Sequence, residues 1–83
     1  MFEVIFSERA KKHFLKLDRH IQERIGNAIE RIKVRPEAYV EKLVGEPGYK
    51  FRVGDYRLIL DIQQERLVIL VIKVGHRKNI YGR

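Results

Sequence analysis

The chain of 83 residues contains no cysteine. Disulfide staples, a thiol nucleophile and thiolate metal sites are all excluded, so the fold must be held by a packed core. The length leaves room for one domain, residues 1–83, and a hydrophobic content of 45% suffices for a small two-layer structure. No apolar run approaches the roughly 18 residues of a membrane helix, and no membrane partner is expected. The opening "MFEVIFSERAKK" lacks a charged segment ahead of its apolar stretch and reads as a strand, not a signal peptide. The cytoplasm is the expected location. The chain also lacks a Gly-rich phosphate loop ahead of a helix, a serine placed for a triad, and a carboxylate cluster that would cage a metal. Neither cofactor nor metal is expected.

Acidic residues are in short supply. Lys and Arg number 18 against 11 Asp and Glu, a net charge of +7. Residues 1–41 hold 9 basic and 7 acidic groups, a net of +2, whereas residues 42–83 hold 9 basic and 4 acidic, a net of +5. A basic surface draws polyanions: nucleic acid, anionic lipid or an acidic protein. Charge alone does not choose among these, and a solvated Lys/Arg face with no partner has the same composition.

What the chain does contain is clear periodicity. Phe2, Val4 and Phe6 alternate with Glu3 and Ile5, which predicts a short strand. Ser7 suits an N-cap, and Glu8 suits the positive start of a helix carrying Ala10, Phe14 and Leu17. Asp18 is placed to end that helix and cap the next. Ile21, Ile25, Ala28, Ile29 and Ile32 form one apolar stripe of a second helix. Gly26 within it costs about 1 kcal/mol against Ala and reads as a close helix contact. Arg35-Pro36 ends the helix. Residues 36–48 read as loop, with Pro47-Gly48 as punctuation. Strands follow at about Tyr49–Val53, Tyr56–Ile62 and Leu67–Val74, joined by Gly54-Asp55 and by the polar loop Gln63–Arg66. "LVILVIKV" is nearly all apolar, as a central strand would be. The predicted fold is α+β: an N-terminal strand, a helical hairpin, then a three-stranded antiparallel meander. One curved antiparallel sheet packs its apolar face on the two helices.

Within "YKFRVGDYRLIL" the two-residue turn sets Val53 opposite Tyr56 and Arg52 opposite Arg57. Tyr49, Phe51, Val53, Tyr56, Leu58 and Leu60 then face the helices. Lys50, Arg52, Arg57, Ile59 and Asp61 face away. Like charges directly opposite across a strand pair repel, so the trio Lys50, Arg52, Arg57 calls for a reason. The last strand returns His76, Arg77, Lys78 and Tyr81 towards Arg57, with Asp55 and Asp61 as the only acids near. Such a cluster suits a phosphodiester, because Arg grips phosphate at two points and Lys acts as a movable point charge. RNA brings its own nucleophile, the 2′-hydroxyl. Cations alone then suffice: crowding favours a lysine's neutral, basic form, and Arg stabilises the developing charge.

"KLVGEPGYKFRVGDYRLIL" followed by "VIKVGHRKNIY" resembles the RelE toxins of bacterial and archaeal toxin–antitoxin pairs. The "RVGDYR" hairpin and the "VGHR" ending with a nearby Tyr carry the resemblance, which covers almost the whole chain. It implies a metal-independent endoribonuclease that acts on mRNA in the ribosomal A site and is inhibited by a RelB-like antitoxin. Lys50 and Arg52 match the family's two basic positions before the turn. These are often lysines, so Arg52 departs from the pattern and the base role shifts to Lys50. Arg57 matches a phosphate binder, Arg77 a phosphate stabiliser or proton donor, and Tyr81 a base-stacking or base-orienting tyrosine. The tail after Tyr81 implies that the terminal helix of some relatives is missing.

Two other functions fit the same fold class. One is a ParE-like toxin that binds and inhibits DNA gyrase, and the other is an RNA-binding domain without catalysis. His76 and Lys78 are read as RNA contacts, with a structural role for the imidazole as the alternative. Tyr39 and Tyr49 are read as packing residues, and His13 and His20 as helix surface.

Overall fold

The computed structural model describes residues 1–78. Its elements are β1 (Glu3–Phe6), α1 (Glu8–Leu15), α2 (Arg19–Val34), a 3₁₀ turn (Pro36–Ala38), β2 (Val40–Lys42), β3 (Tyr49–Val53), β4 (Tyr56–Gln63) and β5 (Val68–His76). They form one five-stranded sheet of order β1-β5-β4-β3-β2 with both helices on one face.

Local chemistry accounts for the helical hairpin. Ser7 caps α1 as predicted, its Oγ accepting from the Ala10 N–H at 3.1 Å. Asp18 occupies the N-cap of α2 but makes no side-chain capping bond there. The link between the helices is closed by Gln22. Its Nε2 donates towards Phe14 O, Leu15 O and Leu17 O at 3.1, 3.3 and 3.1 Å, tying the first turn of α2 to the end of α1. The α2 stripe is buried at Ile25, Ala28, Ile29 and Ile32. Gly26 is not the close contact its sequence position suggested, since a Cβ added there meets nothing within 4 Å. α2 stops at Val34, before Pro36.

The core lies between the helices and the inner sheet face. Ile25, Ile32, Leu58, Leu60, Ile69 and Val71 are its largest fully buried side chains. Each contributes about 1.5–3 kcal/mol through burial.

Two features of the sheet differ from the sequence reading. Residues 40–42 are not loop: Val40, Glu41 and Lys42 pair antiparallel with Phe51, Lys50 and Tyr49. The sheet is also mixed, because β1 runs parallel to β5 with Val4 opposite Ile69 and Phe6 opposite Val71. No tight hairpin fixes the direction of β1, so its pairing is free to be parallel after the helical crossover.

β5 is an interior strand, as its composition suggested, flanked by β1 and β4. The β4–β5 ladder carries one irregularity: Ile59 pairs with Lys73, but Leu60 pairs with Val71, leaving Ile72 as an extra residue. This bulge lets Val71 and Val74 both face the core, whereas strict alternation would send one of them outward. Ser7 holds the bulge: its Oγ donates to Ile72 O at 3.1 Å and its N–H donates to Val71 O at 2.9 Å.

Candidate active site

The site is organised by the β3–β4 hairpin. Val53 pairs with Tyr56 and Arg52 with Arg57, in the register read from the sequence. Gly54 has φ +61, whereas Asp55 is not in the positive-φ region, a combination that fits a type II′ turn. The guanidinium of Arg24, from α2, lies against the turn, with Nη1 3.1 Å from where a Gly54 Cβ would stand.

Lys50, Arg52 and Arg57 share the sheet face turned away from the helices, since their neighbours Phe51, Val53 and Leu58 are all in the core. The trio lines one wall of a concavity of about 440 Å³, and Ala38–Glu41 form the other. Arg52 is exposed and Arg57 half-buried. Arg57 Nη1 reaches back towards Gly54 O and Tyr56 O, both at a long 3.5 Å.

A carboxylate absent from the sequence reading joins the trio. Glu41 sits opposite Lys50, with Oε1 3.4 Å from Nζ. An acid in contact with the trio thus comes from β2, the strand missed in the sequence, beside the Asp55 and Asp61 read there.

Lys73 is a second residue that the sequence reading passed over. It pairs with Ile59, whose other neighbour is Lys50. Glu41, Lys50, Ile59 and Lys73 therefore form one row across four strands. Ile59 faces away from the helices yet is only 8% exposed. The aliphatic stems of its two lysine neighbours are placed to cover it while their ammonium groups reach water. The only signal was a single lysine inside "VILVIKV".

The end of β5 returns beside the hairpin. Gly75 pairs with Arg57, and the Arg77 N–H donates to Asp55 O at 2.8 Å. Arg77 and Lys78 are exposed there. His76 is not brought to the trio. It pairs with Tyr56, one residue out of phase with Gly75, and so belongs to the face carrying Leu58 and Val74. Its ring meets Tyr56 edge-on, centroids 5.5 Å apart, and its Nδ1 accepts from the Lys78 N–H at 3.2 Å. Strand alternation is the reason, and the half-exposed imidazole sits against Tyr56 instead of beside the trio. Tyr81 lies outside the described residues.

Among the described residues, no group of three or more His, Cys, Asp or Glu side chains is gathered as metal ligands would be. No helix among them is long and apolar enough to cross a membrane.

This fold is that of a known class. The family described as ParE toxin of type II toxin-antitoxin system, parDE, matches residues 4–81. The mRNA interferase toxin RelE of Escherichia coli K12 is 33% identical over 76 residues, covering 88% of this chain and 80% of that protein. The chain belongs to the RelE/ParE superfamily of toxin–antitoxin toxins. Among solved structures, the intact E. coli RelBE toxin–antitoxin complex matches with TM-score 0.79 and 32% identity, over 92% of this chain and 96% of that one. The RelBE2 complex of Mycobacterium tuberculosis matches with TM-score 0.84 and 26% identity, over 92% and 98%.

Proposed function

We propose that this protein is the mRNA-cleaving toxin of a toxin–antitoxin pair. The observation that carries the reading is Arg52 directly opposite Arg57 on an open sheet face, with Lys50 in the same concavity. Repulsion across a strand pair is a standing cost, and a bound phosphodiester would relieve it. The resemblance to an mRNA interferase supports the same substrate.

In the proposed reaction the RNA 2′-oxygen attacks the neighbouring phosphorus. A P–O2′ bond forms as the P–O5′ bond breaks. Lys50, parted from Glu41 and in its neutral form, takes the 2′-hydroxyl proton, Arg52 and Arg57 hold the phosphate as charge builds on it, and Arg77 stabilises it or protonates the leaving 5′-oxygen. Lys78 adds a backbone contact, and Tyr81 stacks on a base. The products are a 2′,3′-cyclic phosphate and a 5′-hydroxyl. No step requires a metal or cofactor. The substrate is mRNA in the ribosomal A site, the compartment is the cytoplasm, and the partner is a RelB-like antitoxin. The partner reading is supported by the RelBE complexes among the structural matches.

A second reading is favoured by one observation: the matching family is described as ParE toxin. A ParE-like protein would bind and inhibit DNA gyrase without cleaving RNA. Purified protein added to programmed ribosomes, followed by primer extension, decides between them. Cleavage within codons that survives metal chelation with ribosomes kept intact supports the nuclease. Intact mRNA together with blocked gyrase supercoiling supports the second reading.

A further inference from the structure

The sequence reading made Tyr39 a packing residue, but it is 47% exposed. Its backbone is held on both sides. The Tyr39 N–H donates to Pro36 O at 3.0 Å, Pro36 is fully buried, and Val40 enters the sheet opposite Phe51. The ring is thus an exposed aromatic on an anchored backbone.

Its surroundings are cationic on two sides. Tyr39 and Arg52 both line the concavity shared with Lys50 and Arg57. Both also line a neighbouring one of about 470 Å³, reached by Arg24 and Arg31 of α2. Among the described residues, the one acid lining either space is Glu41, and it is in contact with Lys50. Sites for single-stranded nucleic acid combine cations that track the backbone with aromatic faces on which bases stack.

We propose that Tyr39 is a stacking platform for the base beside the phosphate held by Arg52 and Arg57, with the strand continuing towards Arg24 and Arg31. This inference rests on the RNA reading above. It makes Tyr39 a positioning residue whose effect depends on the presence of a base.

The test uses a short single-stranded RNA carrying 2-aminopurine and 2′-O-methyl groups, which block cleavage, and a matching RNA with an abasic site. Tyr39→Phe should bind as the unmodified protein does and keep quenching the 2-aminopurine. Tyr39→Leu keeps apolar bulk without the π face. It should lose the quenching and weaken binding by about tenfold or more, with its thermal melt unchanged. On the abasic RNA, Tyr39→Leu and the unmodified protein should bind alike. Tyr39→Leu binding the intact RNA as tightly as the unmodified protein, or losing equally on both RNAs, overturns the proposal. Cleavage on ribosomes is scored separately. Quenching through Tyr39 without cleavage sinks the nuclease reading and leaves the platform standing, and cleavage without quenching does the reverse.

Discussion

Arg52 and Arg57 are direct cross-strand neighbours, two guanidiniums held in register by a turn of two residues. The arrangement opposes folding, and in the proposed reaction a bound phosphate offsets that cost. Arg57→Ala should therefore slow the chemical step by a factor on the order of 10² or more, as loss of an oxyanion donor does. Folding stability should hold or rise slightly as the repulsion goes. Single-turnover cleavage on ribosomes beside a thermal melt makes the comparison. Normal cleavage, or simple unfolding, would make the cationic trio structural.

Ser7 serves two elements at once, capping α1 and donating to the bulged carbonyl of Ile72. Ser7→Ala removes both bonds and should cost about 1–3 kcal/mol. Ser7→Thr restores a hydroxyl and should recover most of it. Denaturant unfolding of the two variants reads the difference, and an unaltered midpoint for Ser7→Ala would contradict the double role.

Two glycines should respond in opposite directions to alanine. Gly26 lies inside α2 with open space around its Cα, so Gly26→Ala should stabilise the protein by about 0.5–1 kcal/mol. Gly54 has φ +61, which costs an L side chain roughly 1–2 kcal/mol. The Arg24 contact there can give, being the far end of a flexible side chain, but the backbone cannot. Thermal melts that rank Gly26→Ala below the parent, or Gly54→Ala level with it, would overturn this account.

How much of this was readable without coordinates depends on how far local signals reach. Alternation through Gly54-Asp55 placed Lys50, Arg52 and Arg57 on one face, because a two-residue turn leaves no freedom of register. Ser7, the α2 stripe and Pro36 carried the helices in the same local way. β2 escaped because "VEK" holds one apolar residue and pairs over only three positions. With β2 went Glu41 and the exposed face of Tyr39. The bulge at Ile72 escaped for another reason. "VILVI" is apolar throughout, so its period cannot be read and the faces beyond it cannot be counted. The unseen phase left the faces of His76 and Lys73 unread. The parallel partner of β1 has no local signal.

Lys73 gives the last prediction. It lies on the face of Lys50 and Arg57, separated from Lys50 by Ile59 alone. If RNA phosphates follow the cations over this face, Lys73 neutralises one of them. Lys73→Met keeps an unbranched stem over Ile59 and removes the charge. Stability should change by less than about 0.5 kcal/mol, as for surface substitutions elsewhere. The slope of log affinity for single-stranded RNA against log salt should fall by about 0.7, the counterion release of one contact. Lys73→Ala removes the stem too and uncovers Ile59, so it should lose the same slope and also lower the melting temperature. The pair separates charge from cover. An unchanged slope in both variants would confine Lys73 to covering Ile59, and the cationic track would end at Arg57.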